Sequence, residues 1–209
     1  MIIPVSDLLS INTIAKALKQ KEFVWHGATL YGIDAMGGAL IMAIVPPTTL
    51  LSLPLQYAFH INQRELSLFC GQISTETECE FNPSDMNGKY VASIREHEFN
   101  ITCNVQIHNM ALTMQSSMQR LTNELNGFEE FDATDLLQSL VGRTKSSGAI
   151  PVIYDKSHIM YLFSSALPLT KADRVLLTIK DYPNGTFLCR FRVPKKHCTI
   201  QTFMSFIRI

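Results

Sequence analysis

Residues 6–21, SDLLSINTIAKALKQK, decide how the rest of the chain is interpreted. Apolar residues recur there at helical spacing and fall on one face: Leu8, Ile11, Ile14, Ala15 and Leu18. Ser6 is suited to cap this helix, because its hydroxyl can accept a hydrogen bond from a free backbone N–H group. Lys16 is predicted nearly opposite the apolar face, with Asn12 and Lys19 beside it. The segment therefore predicts an amphipathic helix with basic residues on its outer side.

A second segment repeats this pattern about 125 residues later. Residues 131–145, FDATDLLQSLVGRTK, predict a short helix that is capped by Asp132. Its apolar residues are Leu136, Leu137, Leu140 and Val141, and Arg143 and Lys145 lie at its end. Each helix is followed by strand-like sequence, so we predict two similar halves. The expected fold class is α+β, with antiparallel sheets and short helices on one face.

Alternating and apolar runs predict the strands. After the first helix they are residues 22–26, 29–34 and 39–45, then 50–60, an edge strand interrupted by Pro54, and 72–81. Residues 62–70 predict one or two helical turns that carry Arg64 outward. Residues 89–95 and 98–107 follow the turn at Asn87-Gly88, the strongest hairpin signal in the chain. Later strands are predicted at residues 149–154, 158–164, 174–180, 186–193 and 202–209, with a hairpin at Asn184-Gly185.

A more regular helix is predicted between the halves, at residues 109–126. Its apolar stripe consists of Met110, Met114, Met118, Leu121 and Leu125, and Gly127 is suited to end it. A methionine stripe of this kind packs in a core more often than it forms a binding groove, but a partner-binding role for Met110, Met114 and Met118 remains open. We therefore divide the chain into residues 1–107, a connector at 108–130, and a shortened second domain at 131–209.

Composition and motifs exclude several classes of function. The 209 residues have no formal net charge and are 17% charged, which excludes a strongly basic protein that coats nucleic acid. The five cysteines contain no C-x-x-C pair, and the six histidines are scattered, so we expect no metal site and no cofactor. No phosphate-binding loop or nucleophile elbow is present, and the acidic run at 129–132 is interpreted as a solvated loop. The chain is expected to be a soluble intracellular protein, not an enzyme and not attached to a membrane.

The basic residues follow the predicted helices. A solvated surface would explain any one of them, but as a set they favour contact with phosphate groups without recognition of sequence. Aromatic residues are not interleaved among them as a base-stacking surface requires. The candidate DNA-binding residues are Lys16, Lys19, Lys21, Arg64, Arg143, Lys145, Lys195 and Lys196.

The order of elements resembles a DNA polymerase sliding clamp, particularly the short clamp of T-even-like phages and, more distantly, proliferating cell nuclear antigen. The likeness is carried by residues 8–19 with 23–46 and by residues 132–180, which end in VLLTIK. It implies a closed ring, most simply a homotrimer, around double-stranded DNA, with a DNA polymerase and a clamp loader as partners. The basic residues would line the hole, and Lys195 and Lys196 would lie on a rudimentary fourth helix.

A ring also needs free strand edges through which subunits pair, and residues 98–107 and 202–209 are the predicted edges. The alternative is a β-rich structural or adaptor subunit of a viral assembly, in which the methionine-lined helix binds a neighbour. An enzyme that uses scattered cysteine or histidine residues is a third possibility.

Overall fold

The computed structural model describes residues 2–18, 21–32, 39–44, 55–73, 75–83, 89–94, 97–134, 173–195 and 198–207. The first half contains β1 (Ile2–Pro4), α1 (Val5–Leu18), β2 (Glu22–His26), β3 (Thr29–Gly32), β4 (Ala39–Ile44), β5 (Ala58–Asn62), α2 (Gln63–Gln72), β6 (Glu78–Pro83), β7 (Lys89–Ile94) and β8 (His97–Thr102). After it come α3 (Val105–Glu124), β9 (Glu130–Asp132), β10 (Leu176–Asp181), β11 (Thr186–Pro194) and β12 (Thr199–Ile207). The predicted α+β class is confirmed.

The twelve described strands form one antiparallel sheet. Their order is β1-β6-β7-β8-β5-β2-β3-β4-β12-β11-β10-β9. The halves are joined where β12 pairs with β4 over six residue pairs, from Thr199 opposite Ile44 to Met204 opposite Ala39. The sheet therefore continues from one half into the other.

Each face of the sheet buries a separate core, because successive residues of a strand point to opposite faces. Phe23 and Trp25 of β2 pack in the cluster that contains α1 and α2, whereas Val24 packs in the cluster that contains α3. We call these faces the α1–α2 face and the α3 face. Phe23 and Val24 have no exposed surface, and Trp25 is 1% exposed, so β2 lies in the centre of the molecule.

Helix α3 crosses both halves on its face of the sheet. Its buried residues Ala111 and Met118 share a cluster with Val24 of the first half and Leu188 of the second. Near its start, the His108 ring meets the His26 ring edge-on at 5.5 Å between centroids. The helix begins at Val105, four residues before the predicted start, because the side chain of Asn104 accepts a hydrogen bond from the Ile107 N–H group at 2.9 Å.

The end of α3 is anchored to the β10–β11 hairpin. The Tyr182 hydroxyl donates a hydrogen bond to Glu124, which lowers the pKa of Glu124 and raises the pKa of Tyr182 to about 12. The Lys180 ammonium lies 3.7 Å from the Glu124 carboxylate and 4.8 Å from the centre of the Tyr182 ring. The connector is thus a helix fixed at this end.

The two halves repeat the same strand arrangement. In the first half, β1 pairs with β6, which continues into β7 and β8; in the second, β9 pairs with β10, which continues into β11 and β12. Ile3 lies opposite Cys79, and Phe131 lies opposite Leu177. All four side chains belong to or pack against the core of the α1–α2 face. The internal repeat inferred from the order of elements is therefore present in the described strands.

The entry to the helix is also repeated. The N–H group of Val5 donates to the carbonyl oxygen of Thr77 at 3.0 Å, and that of Ala133 donates to the carbonyl oxygen of Val175 at 2.9 Å. Each of these hydrogen bonds lies one residue beyond the last residue pair of the two strands. A helix begins at Val5 in the first half, and the first helical residue described in the second half is Thr134. Cys79 follows Ile3 by 76 positions but Leu177 follows Phe131 by only 46. The second half is thus shorter by 30 residues in its middle.

Several predictions about edges and helix ends are wrong. β8 lies between β7 and β5, and β12 lies between β4 and β11, so neither residues 98–107 nor residues 202–209 form an edge. β5 is also internal, since it pairs with β2 along its length and with β8 at one residue pair. Ser6 lies inside α1 because β1 ends at Pro4 and the helix begins directly at Val5.

The acidic run at residues 129–132 is not a solvated loop throughout. Glu130 and Phe131 lie in β9, where they pair with Thr178 and Leu177. The expected cap is confirmed at Asp132, which accepts hydrogen bonds from the backbone N–H group of Thr134, at 3.0 Å, and from its hydroxyl. The rest of the helix predicted at 131–145 lies outside the described residues, as do the strands predicted at 149–154 and 158–164 and the Asn87-Gly88 turn.

Candidate nucleic-acid interface

Helices α1 and α2 form an antiparallel pair on their face of the sheet. The Ser67 hydroxyl of α2 donates to the side-chain oxygen of Asn12 at 2.7 Å, and the Gln63 amide donates to Ser67 at 2.7 Å. At the other end of the pair, the Cys70 thiol lies 3.7 Å from the carbonyl oxygen of Leu8. Because Cys70 follows Ser67 whereas Leu8 precedes Asn12, the two helices run in opposite directions.

This packing corrects the prediction for Asn12. The sequence pattern placed Asn12 on the outer side with Lys16, but its side chain is only 8% exposed. The reason is that α2 covers that part of α1 and supplies a hydroxyl for the buried amide, which would otherwise cost stability. The helical period therefore places Asn12 correctly on the polar side of α1, but α2 covers that part of α1 and buries the residue.

Three predicted basic residues meet at one end of the helix pair. Lys16 is exposed near the end of α1, and Arg64 is exposed at the start of α2. Lys21 is exposed just before β2, and its carbonyl oxygen accepts a hydrogen bond from the N–H group of Gln63 at 2.9 Å. The antiparallel pairing brings the end of α1 to the start of α2, so these three cations share one surface. We call Lys16, Lys21 and Arg64 the basic corner.

The start of α2 is held by Asn62. Its side-chain oxygen accepts hydrogen bonds from the N–H groups of Arg64, at 3.0 Å, and Glu65, at 3.2 Å. This cap fixes the first turn, which confirms the short helix predicted at residues 62–70 and the outward direction of Arg64. Glu65, next to Arg64, and Glu22, next to Lys21, are also exposed, so the three cations with these two carboxylates carry a formal net charge of +1.

The other candidate cations are placed less favourably or lie outside the described ranges. The Lys195 ammonium is 2.5 Å from the Asp173 carboxylate, and the Lys195 N–H group donates to the Cys198 carbonyl at 2.8 Å. Lys195 thus lies in the connection between β11 and β12 and is not helical, so the predicted fourth helix is wrong at this residue. Lys19, Arg143, Lys145 and Lys196 are outside the described residues, and their role remains a prediction.

The methionine stripe points at the sheet. Met118 is 3% exposed, and Met110 and Met114 are half-buried against the same cluster. The interpretation of the stripe as core is thus confirmed by the contacts. Partner binding by Met110, Met114 and Met118 remains a prediction, with Met110 and Met114 the more accessible.

Sequence reasoning did not predict that Arg190 and Arg192 form a polar group with Glu130 on the α3 face. The carboxylate of Glu130, in β9, forms ion pairs with both Arg190 and Arg192, in β11. Alternation along β11 could have placed the two arginines on one face, but their partner lies 60 residues away in a strand that was not predicted.

The described residues show no arrangement suited to catalysis. Burial raises the pKa of the Cys70 and Cys198 thiols to about 11 and of Cys79 and Cys189 to about 12, so these thiols are poor nucleophiles near neutral pH. No group of three or more histidine, cysteine, aspartate or glutamate side chains in the described ranges could hold a metal ion. Among the helices that the structure describes, none is both long and apolar enough to span a bilayer.

Solved structures similar to this chain include DNA polymerase sliding clamps. The DNA polymerase III β subunit of Pseudomonas aeruginosa has a TM-score of 0.43 and 10% sequence identity, with 98% of this chain and 64% of that chain covered. The sliding clamp of Bacillus subtilis has a TM-score of 0.46 and 11% identity, with 97% and 63% covered. For the Proliferating Cellular Nuclear Antigen of Entamoeba histolytica the values are 0.41 and 10%, with 96% and 94% covered.

The chain thus spans less than two thirds of these bacterial clamps. The resemblance stated from the sequence is confirmed as structural similarity at modest TM-scores and low identity. No protein-family model matches the chain, and no curated protein matches it.

Proposed function

We propose that this chain is a sliding-clamp subunit, which closes into a homo-oligomeric ring around double-stranded DNA and keeps a DNA polymerase on its template. The observation that carries the proposal is the internal repeat. Ile3 with Cys79 and Phe131 with Leu177 occupy equivalent pairs, and the residue that follows each short strand, Val5 or Ala133, packs in the core of the α1–α2 face. A ring around a duplex needs a wall of sheet with helices on its inner face; α1 and α2 supply such helices on the α1–α2 face, and α3 lies on the opposite face.

The charge distribution supports contact with phosphate groups on the α1–α2 face. The basic corner is exposed there, while Lys195 is neutralised by Asp173. A ring holds DNA by topology, so a few weak phosphate contacts are sufficient and permit sliding. Lys19, Arg143, Lys145 and Lys196 belong to the proposed lining, a clamp loader is the proposed partner for ring opening, and three subunits are the proposed number.

The first test is topological. The purified protein is diluted until the oligomer dissociates, concentrated again with nicked circular plasmid, and passed through a sizing column at high salt. Phosphate contacts weaken steeply with salt, whereas a closed ring on a circle cannot leave. We expect co-elution with the circle and loss of the protein when a restriction enzyme linearises the plasmid.

Two results would overturn the proposal: a native mass of one subunit under all conditions, or equal retention on circular and linear plasmid. A large assembly with no dependence on DNA topology would favour a structural subunit instead.

A charge reversal tests the lining. The double variant with Lys16→Glu and Arg64→Glu should have a lower affinity for a short duplex. The slope of log affinity against log salt concentration should become smaller by about two, one for each lost phosphate contact. The matched control is Arg120→Glu, which reverses an exposed charge on α3, on the other face. An equal loss in the control would show that the basic corner has no special role.

A further inference from the structure

Arg190, Arg192 and Glu130 form a compact cluster on the α3 face, which we call the arginine cluster. Arg190 lies opposite Phe203, which packs in the α3 core, and residues directly opposite in antiparallel strands lie on the same face. Arg192 is two positions further along β11 and therefore shares that face. The Nη2 atom of Arg190 lies 3.4 Å from Oε1 of Glu130, and the Nη2 atom of Arg192 lies 2.5 Å from Oε2.

The charges in this cluster do not balance. Among the described residues, two guanidinium groups share one carboxylate, which leaves one positive charge, although the side chains of Arg190 and Glu130 are only 17% and 24% exposed. Partly buried charge is costly unless it is compensated. Lys180, the nearest further cation along the same face of β10, is already paired with Glu124. A monoanion would make the arginine cluster neutral.

The hydrogen-bonding groups leave two donors unpaired against one acceptor, because the buried Oε1 atom of Gln201, the residue opposite Arg192, also has no partner among the described residues. Arg190 also donates to the Thr178 hydroxyl at 3.2 Å. The Nε atoms of Arg190 and Arg192 are buried, and neither has an acceptor among the described residues. Buried donors are nearly always bonded in folded proteins, so these two indicate where an acceptor belongs. Arg192 is 39% exposed and gives access from solvent.

We propose that the arginine cluster binds one carboxylate from an acidic segment of a partner protein. The planar fork of a guanidinium matches a carboxylate in shape, and the surplus of one charge matches one carboxylate in number. A phosphate monoester carries about 1.5 to 2 negative charges near neutral pH, which exceeds the surplus of one. The site lies on the face opposite the basic corner, so a protein could bind there while duplex DNA occupies the α1–α2 face.

A labelled peptide of eight glutamates is the probe, and its binding is followed by fluorescence anisotropy at low salt. Arg192→Gln should weaken binding about tenfold or more, because it removes the charge-assisted hydrogen bonds that the guanidinium donates to the carboxylate. Glu130→Gln should strengthen binding several-fold, because it removes the carboxylate that competes for both arginines. Arg174→Gln is the matched control, since Arg174 is an exposed arginine of the same half that pairs with Asp132, and it should leave binding unchanged.

The gain in affinity with Glu130→Gln separates a binding role from a structural one. If Glu130 only holds β9 in place, its replacement will lower stability and will not improve binding, which overturns the proposal. Equal binding of a peptide of eight glutamines, or displacement by inorganic phosphate at far lower concentration than by acetate, would also overturn it. If Arg192→Gln fails to fold, Arg192→Lys keeps the charge without the fork and should still weaken binding. These outcomes do not depend on whether the protein encircles DNA.

Discussion

Replacing Met118 by alanine should destabilise the protein strongly and should change the binding of partner proteins little. Met118 lies in the middle of the stripe that also contains Met110 and Met114, but it is 3% exposed and packs in the cluster that joins α3 to both halves. Its side chain thus contributes to stability rather than to an open groove. Leu112 provides a matched control, because it is an apolar residue of the same helix that is 42% exposed.

The magnitude follows from burial. Truncation of a buried methionine to alanine costs about 2–5 kcal/mol, depending on how far the surroundings can collapse. Since α3 packs against the sheet on one side only, it can shift towards the gap, and we expect about 2–3 kcal/mol. Leu112→Ala removes a half-exposed side chain, and alanine favours helix, so its cost should be about 1 kcal/mol or less.

Urea unfolding followed by circular dichroism measures the difference. With a slope of about 2–3 kcal/mol per molar urea, the midpoint of Met118→Ala should fall by about 1 M. Leu112→Ala should shift it by less than half as much. Equal shifts for the two variants, or a Met118→Ala protein as stable as the parent, would refute the assignment of the stripe to the core.

Two further predictions concern titration. The Thr134 hydroxyl, the Thr134 N–H group and Arg174 hold the pKa of Asp132 at about 2, below its ordinary value of 3.8. The stability that results from this depressed pKa is present above about pH 4 and is lost as the pH falls towards 2. Asp132→Asn should therefore reduce the slope of the free energy of unfolding against pH between about pH 4 and 2. An unchanged slope would contradict this prediction. Burial raises the pKa of Cys189 to about 12, whereas Cys103 is half-buried. Iodoacetamide at pH 8 should therefore modify Cys103 first, and peptide mass spectra that show Cys189 modified as fast would contradict this prediction.

Local signals in the sequence predicted most strands and helices of the first half. Residues 22–26 match β2 without change, and the Asn184-Gly185 turn is confirmed, since Gly185 has a φ of 79° and Tyr182 bonds to Thr186 across it. Those signals act over a few residues: alternation, helical period and turn chemistry. They are independent of what lies across the sheet.

Long-range pairing explains what the sequence did not predict. Whether a strand is an edge depends on partners far along the chain, so the local pattern predicts an edge at residues 202–209 although β12 pairs with β4. Asn12 was placed outside because its partner Ser67 is 55 positions away. For the candidate site, the outward direction of Lys16 and Arg64 could be predicted from helical period, but their convergence required the antiparallel packing of α1 and α2.

The pairing of β4 with β12 has a consequence during synthesis on the ribosome. Ile44 and Thr199 are 155 positions apart, so β4 emerges long before the strand that completes its hydrogen bonds. At typical translation rates of roughly 5–20 residues per second, this edge waits for about 8–30 seconds. An open edge can recruit strands from another nascent chain, so newly made protein is most vulnerable to aggregation in this interval.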